Sequence, residues 1–222
     1  MRLPFERWAI RFGILIAACM VNAGASAAAR PSIEHCVDDL AARNLDSIRS
    51  KADLSRTAAD GPPPFRIALN DTFATDSERA DIAKWFRIRN LCHRRIAIPR
   101  SIPPPESAIE AASLQQVSAL SRIFQSSVGR LIVALYCQEL TYGEFARKRY
   151  EFTRDAAALS SAINDAGLDA DQTKLRQTLR QLRYLRISWN TYLSRLNARP
   201  PGTVHNRGAV YTSLTRQVSD SN

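Results

Sequence analysis

The chain has 222 residues and a formal charge of +10, with 31 Lys and Arg against 21 Asp and Glu. A balance this positive favours anionic neighbours such as lipid headgroups, acidic polysaccharide or nucleic acid, although Arg also serves simply as a solvated helix former. The four cysteines include no Cys-x-x-Cys pair and the three histidines show no metal-ligand spacing, which leaves a zinc or thiol-redox centre without support.

Arg2, Arg7 and Arg11 precede an apolar run from Phe12 to Val21, which ends in the small residues Ala23 to Ala29. This order of charge, apolar core and small residues is that of an export signal, with Ala25-Ser26-Ala27 as one cleavage pattern. The run is shorter than the roughly 20 residues a membrane span needs. Ile16-Ala17-Ala18-Cys19 offers an alternative in which Cys19 is lipidated and anchors the protein to a bacterial membrane. Removing residues 1–29 takes away three Arg and one Glu, which lowers the formal charge from +10 to +8 on 193 residues. A chain of that size suits one domain with a genuine core. The expected destination is periplasmic or secreted, which also argues against nucleic acid as a partner.

After the signal the pattern is helical throughout. Ser32 caps an expected first helix in which Ile33, Cys36, Val37, Leu40 and Ala41 recur at helical spacing, continuing less regularly to Leu45 and Ile48. Gly61-Pro62-Pro63-Pro64 stops regular structure, and Phe65 to Leu69 alternates over too short a stretch to predict a sheet. Thr75 and Glu78 form a capping box that opens a second helix, with Ile82, Trp85, Phe86, Leu91 and Cys92 on one face. Pro99 and Pro103-Pro104-Pro105 separate it from a third helix that starts at Glu106 and carries Ile109, Val117, Leu120, Phe124, Leu131 and Leu135, with Gly129 expected at a close helix crossing.

Thr141 and Glu144 form a second capping box before a fourth helix through Phe145, Phe152, Leu159 and Ile163, and Asn164-Asp165-Ala166-Gly167 reads as its stop. The fifth helix steps by three or four residues through Leu175, Leu179, Leu182, Leu185, Trp189, Tyr192, Leu193 and Leu196. Pro200-Pro201-Gly202 ends it, and the polar remainder reads as a disordered tail. The expected architecture is all-α: a signal peptide at 1–29, an antiparallel bundle of about five helices over 30–199 and a tail at 200–222.

Cys36, Cys92 and Cys137 remain after the signal, an odd number. Cys36 and Cys92 both lie on apolar helix faces, so a bridge between them is the preferred pairing, stabilising by about 4 kcal/mol on loop entropy. Cys137 follows the nearly all-apolar run from Val128 and reads as a small buried core residue.

Two stretches carry resemblances. Leu131 to Tyr136, followed by Leu140-Thr141-Tyr142-Gly143-Glu144-Phe145 and Arg149, resembles a signature of uncharacterised exported bacterial helical proteins. It covers about a tenth of the chain and implies an envelope protein without supplying an activity; the same residues need only caps and packing to explain them. Trp85 to Cys92 is similar to the Trp, Arg and Cys helix of small lysozyme-inhibitor-like secreted domains, with Asn90 where those domains place an acid and Cys92 one residue early.

No catalytic constellation is visible. His35 and His93 neighbour the cysteines of the expected bridge, His205 falls in the tail, and no phosphate-cradling Gly loop or nucleophile elbow is present. The carboxylates Asp76, Glu78, Asp169 and Asp171 mark helix starts, where the helix dipole accounts for them. The best binding candidate is Arg176, Arg180 and Arg183, spaced to share one stripe of the fifth helix. Arginine forks suit phosphate and carboxylate, so an anionic envelope polymer or lipid is the expected ligand, with an envelope protein as the other class of partner. No enzyme activity, cofactor or metal is expected, and aromatic side chains are expected mostly on the apolar side.

Overall fold

The computed structural model describes residues 45–54, 56, 58–97 and 105–197. The expected signal with Cys19, the Ser32-capped stretch with Cys36, and the tail at 200–222 lie outside the described residues. Within them the protein is all-α, with no strand and six helices: α1 (Asp46–Ala52), α2 (Phe65–Ala68), α3 (Asp76–Ala97), α4 (Ala108–Tyr136), α5 (Tyr142–Leu168) and α6 (Gln172–Asn197).

The three long helices α4, α5 and α6 pack against one another, joined by connections of only a few residues. Gln116 near the start of α4 meets Leu175 and Thr178 near the start of α6, and Arg130 meets Asn190 further along both helices, so these two run parallel. Phe152 early in α5 stacks on Trp189 late in α6 at 4.5 Å between centroids, so α5 runs antiparallel to both. The N-terminal segment covers one end of this bundle, with α3 against α4, and α1 and α2 against α5.

Local chemistry sets the helix ends. Thr75 and Glu78 form the expected capping box, with the Thr75 N–H donating to Glu78 Oε2 at 2.9 Å and the Glu78 N–H to Thr75 Oγ1 at 3.4 Å. Thr141 and Glu144 do the same at α5, at 3.0 and 3.2 Å. Ser107 caps α4 by accepting from the Glu110 N–H, and the Asp171 carboxylate caps α6 by accepting from Thr173 and Lys174.

Three features differ from expectation. First, α5 does not stop at Asn164 to Gly167; Ala166 and Gly167 are buried inside it and it continues to Leu168. The reversal falls at Ala170, which takes a positive φ of 49° while the Asp171 N–H closes back on the Ala166 carbonyl at 3.0 Å. The end of α4 is built alike, with Gln138 at φ 59° and the Glu139 N–H on the Ala134 carbonyl at 2.9 Å. Both are left-handed helix stops made without the glycine that usually marks them. Second, Phe65 to Ala68, to which the sequence pattern assigns no element, is a single helical turn entered from Pro64. Third, Gly129 sits at no close crossing, since a Cβ there would meet only a Phe86 ring atom at an ordinary 3.5 Å.

The main core combines α1, α3, α4, α5 and the end of α6. It is aromatic: Trp85 meets Phe145 edge-on at 5.8 Å, and Trp189 packs against Phe124 and Phe152. A smaller aliphatic cluster of Leu120, Leu159, Ile163, Ala166, Leu175 and Leu182 holds the other end. Cys92 is fully buried. Cys137 is half-buried as the cap residue ending α4 and packs against the edge of the main core, less enclosed than the fully buried position expected for it.

Candidate anion-binding face

Helix α6 contains Lys174, Arg176, Arg180, Arg183, Arg186 and Arg195, and not one Asp or Glu. Its apolar residues Leu175, Leu182, Trp189, Leu193 and Leu196 are buried, which fixes its rotation and turns the arginines outward. At 3.6 residues per turn, Arg176, Arg180, Arg183 and Ile187 fall within an arc of about 60°, and Tyr184 borders it. All three guanidinium groups of the expected stripe are exposed. Among the described residues none of them has a hydrogen-bond or ion-pair partner. Lys174 differs, because Asp169 holds it at 2.7 Å beside the turn into the helix.

Two neighbours of the stripe escaped the sequence reading. Tyr184 is 74% exposed and Ile187 65% exposed, so the face mixes cations with an aromatic and an aliphatic side chain. Tyr184 is an exception to the expectation that aromatic residues lie mostly on the apolar side, which Trp189 and Tyr192 of the same helix follow. The signal was in the sequence: Tyr184 and Ile187 fall out of step with Leu182, Leu185 and Trp189, which places them opposite the core.

The signature around Thr141 has a different job. The Tyr142 N–H donates to the Thr72 carbonyl at 3.0 Å and the Gly143 N–H to the Asn70 carbonyl at 2.7 Å, while Thr141 takes the next two amides. Every donor of the first turn of α5 is therefore used, so that helix start offers nothing to an anion. Gly143 is required for this contact, since a Cβ there would lie 2.5 Å from the Ala68 carbonyl oxygen and 2.8 Å from that of Asn70. Arg149 reaches the turn after α1 and spreads its fork over three carbonyls, those of Asp53 at 2.6 Å, Leu54 at 2.9 Å and Arg56 at 3.1 Å. Arg147 donates to the Ala68 carbonyl.

Titratable groups that cluster elsewhere are engaged in structure. Burial raises the Glu78 carboxyl pKa, but hydrogen bonds from Lys51 and Thr75 outweigh it and hold the group below its ordinary value. Lys51 reaches Glu78 Oε1 at 2.6 Å and lies 5.6 Å from the centre of the Tyr142 ring, so the trio ties α1, α3 and α5 together. Burial first, then the charges of Glu78 and Asp81, push the Tyr142 hydroxyl pKa up. His93 is buried with both ring nitrogens unpartnered among the described residues, and burial, then the charge of Arg89, lower its pKa to about 3. Among the described residues no group of His, Cys, Asp and Glu could hold a metal, and no helix is long and apolar enough to cross a membrane.

No family model matches the chain, and neither a curated protein nor a solved structure matches it. The residues that carry the lysozyme-inhibitor-like resemblance, Trp85, Phe86, Arg89 and Cys92, are buried in the body of the protein. The candidate stripe Arg176, Arg180 and Arg183 shares one exposed face. Of the other candidates, Cys92 lies in the core, while Cys36 and Cys19 are outside the described residues.

Proposed function

We propose that this is an exported, non-enzymatic helical protein that works by contact, and that the outer face of α6 is its contact surface for an anionic component of the cell envelope. The observation that carries this reading is the row of exposed Arg176, Arg180 and Arg183, without partners among the described residues, on a helix without acidic residues. Charges with no internal partner contribute little to the fold and remain available to a ligand. Phosphate and carboxylate groups match the guanidinium fork. The opposite face of α6 is locked into both core clusters, so the row is held in place before any ligand arrives and binding spends little on ordering it.

Export supports the choice of ligand class, and with it go a Cys36–Cys92 bridge and either a cleaved soluble form or lipidation at Cys19. Intact mass of the protein from cell fractions, with and without reduction, distinguishes these forms. The binding test uses soluble alginate and polyphosphate as probes. Affinity should fall steeply between about 50 and 300 mM salt and be lost in the triple variant R176Q/R180Q/R183Q. Salt-insensitive binding, or none by the intact protein, overturns the reading.

A protein partner is the second reading. Phe65, Leu69 and Phe73 are large apolar side chains left exposed on α2 and the loop after it, a feature that often marks contact between proteins. Such a contact would resist salt and ignore the α6 variants.

A further inference from the structure

We infer that the outer face of α6 seats on the surface of an anionic phospholipid bilayer, Arg176, Arg180 and Arg183 meeting lipid phosphates while Tyr184 and Ile187 enter between the headgroups. This rests on the contact reading given above and narrows its ligand.

A soluble polyanion needs only the cations. It gives an exposed aliphatic side chain nothing to bury against. Yet Ile187 stands inside the arginine arc with 65% of its surface exposed, and Tyr184 stands at its edge with 74%. A headgroup layer answers both features, because it offers phosphate at its outer level and apolar chain just beneath. Tyrosine suits that boundary, with an apolar ring and a polar tip. Long arginine side chains can spread back to the phosphates while the shorter Ile187 points inward. The face is also straight: Arg176 to Ile187 spans about 16 Å along one helix at 1.5 Å per residue, a length that meets several headgroups at once.

Charge complementarity favours the same occupant. Two cations of α5 are answered by neighbouring acids, Lys148 by Glu151 and Arg154 by Asp155, whereas among the described residues the α6 row meets no acid. A planar anionic surface approaching α6 therefore meets no acidic side chain on that helix.

The full chain is floated with vesicles of phosphatidylcholine alone and of phosphatidylcholine with one-third phosphatidylglycerol, and is assayed in parallel on soluble alginate. The expected result is binding to the anionic vesicles and not to the neutral ones. R176Q/R180Q/R183Q should weaken vesicle binding by about 100-fold, since each cation near such a surface contributes about a factor of five. Y184S/I187S should weaken vesicle binding by about tenfold and leave alginate binding unchanged. All the changed residues are exposed, and circular dichroism checks that the variants keep their helix content.

Alginate binding by the intact protein without vesicle binding overturns the bilayer assignment and leaves the anion-contact reading standing. Vesicle binding that is indifferent to Y184S/I187S also overturns it, because the surface would then be sensed by charge alone. Failure to bind either probe overturns both readings.

Discussion

Arg147, Lys148 and Arg149 at the start of α5 and Arg176, Arg180 and Arg183 on α6 are two sets of three cations with opposite fates. Each member of the first set has a partner: Arg147 a carbonyl in α2, Lys148 the carboxylate of Glu151, and Arg149 three carbonyls of the turn after α1. None of the second set has one among the described residues. Net charge counts both sets equally. The difference teaches that a positive chain has less free positive surface than its formula suggests, because part of the charge is neutralised by backbone dipoles inside the fold.

Removing Arg149 should break the first half of this comparison most severely. Its guanidinium holds three carbonyls that lie 93 to 96 residues away in sequence, and it also lies 5.9 Å from the centre of the Trp85 ring. Charge-assisted hydrogen bonds contribute more than neutral ones, and truncation leaves the carbonyls to find new partners. Arg149→Ala should therefore cost about 4 kcal/mol in urea unfolding, and Arg149→Lys should recover less than half, because a single ammonium cannot bridge all three oxygens. A loss below about 1 kcal/mol would mean that α1 is held by apolar packing and that Arg149 is as idle as the α6 row.

The same half of the molecule should carry an acid sensitivity that α6 lacks. Buried His93 stays neutral in the folded protein down to about pH 3, whereas the unfolded chain protonates it near the ordinary histidine value of 6.5. Between those values the unfolded state binds more protons, so stability falls as pH falls, by about 1.4 kcal/mol per pH unit at most, and is independent of this group above pH 6.5. Glu78 acts in the same sense only below the ordinary glutamate value of 4.5, since its folded pKa is lowered. Urea midpoints measured between pH 6.5 and 5 therefore isolate His93. His93→Leu should flatten that slope, and at pH 7 it should match or exceed the parent, because two buried nitrogens without partners are removed. An unchanged slope would show that the histidine is solvated in solution.

Much of this fold was legible because its signals are local. The two capping boxes lie within four residues each and form as expected. The leucine period of α6 was long enough to fix which side faces the core. The α5 stop was misplaced because Gly167 drew the boundary, whereas the chain turns at Ala170, a residue that seldom takes a positive φ. Gly129 and Gly143 were told apart only by their surroundings, since the carbonyls of Ala68 and Asn70 that make a side chain at 143 untenable belong to a distant segment. The α6 stripe was visible as spacing, but its lack of partners depends on where every acid of the fold ends up.

The smallest expected effect is the one that most sharpens the contrast. R176Q/R180Q/R183Q removes three charges, and in the α5 set a comparable loss is costly. On α6 it should leave stability unchanged or raise it slightly. Arg176 and Arg180 stand four residues apart and Arg180 and Arg183 three, so each pair of like charges on one face opposes the helix by a few tenths of a kcal/mol. Glutamine retains a similar helix propensity, which leaves relief of that repulsion as the main change, about 0.5 kcal/mol in total. Thermal unfolding at low salt should show a gain that shrinks as salt rises, since screening already relieves the parent. A loss of 1 kcal/mol or more would place these arginines among the cations that hold the fold, and would remove the ground for assigning them to a ligand.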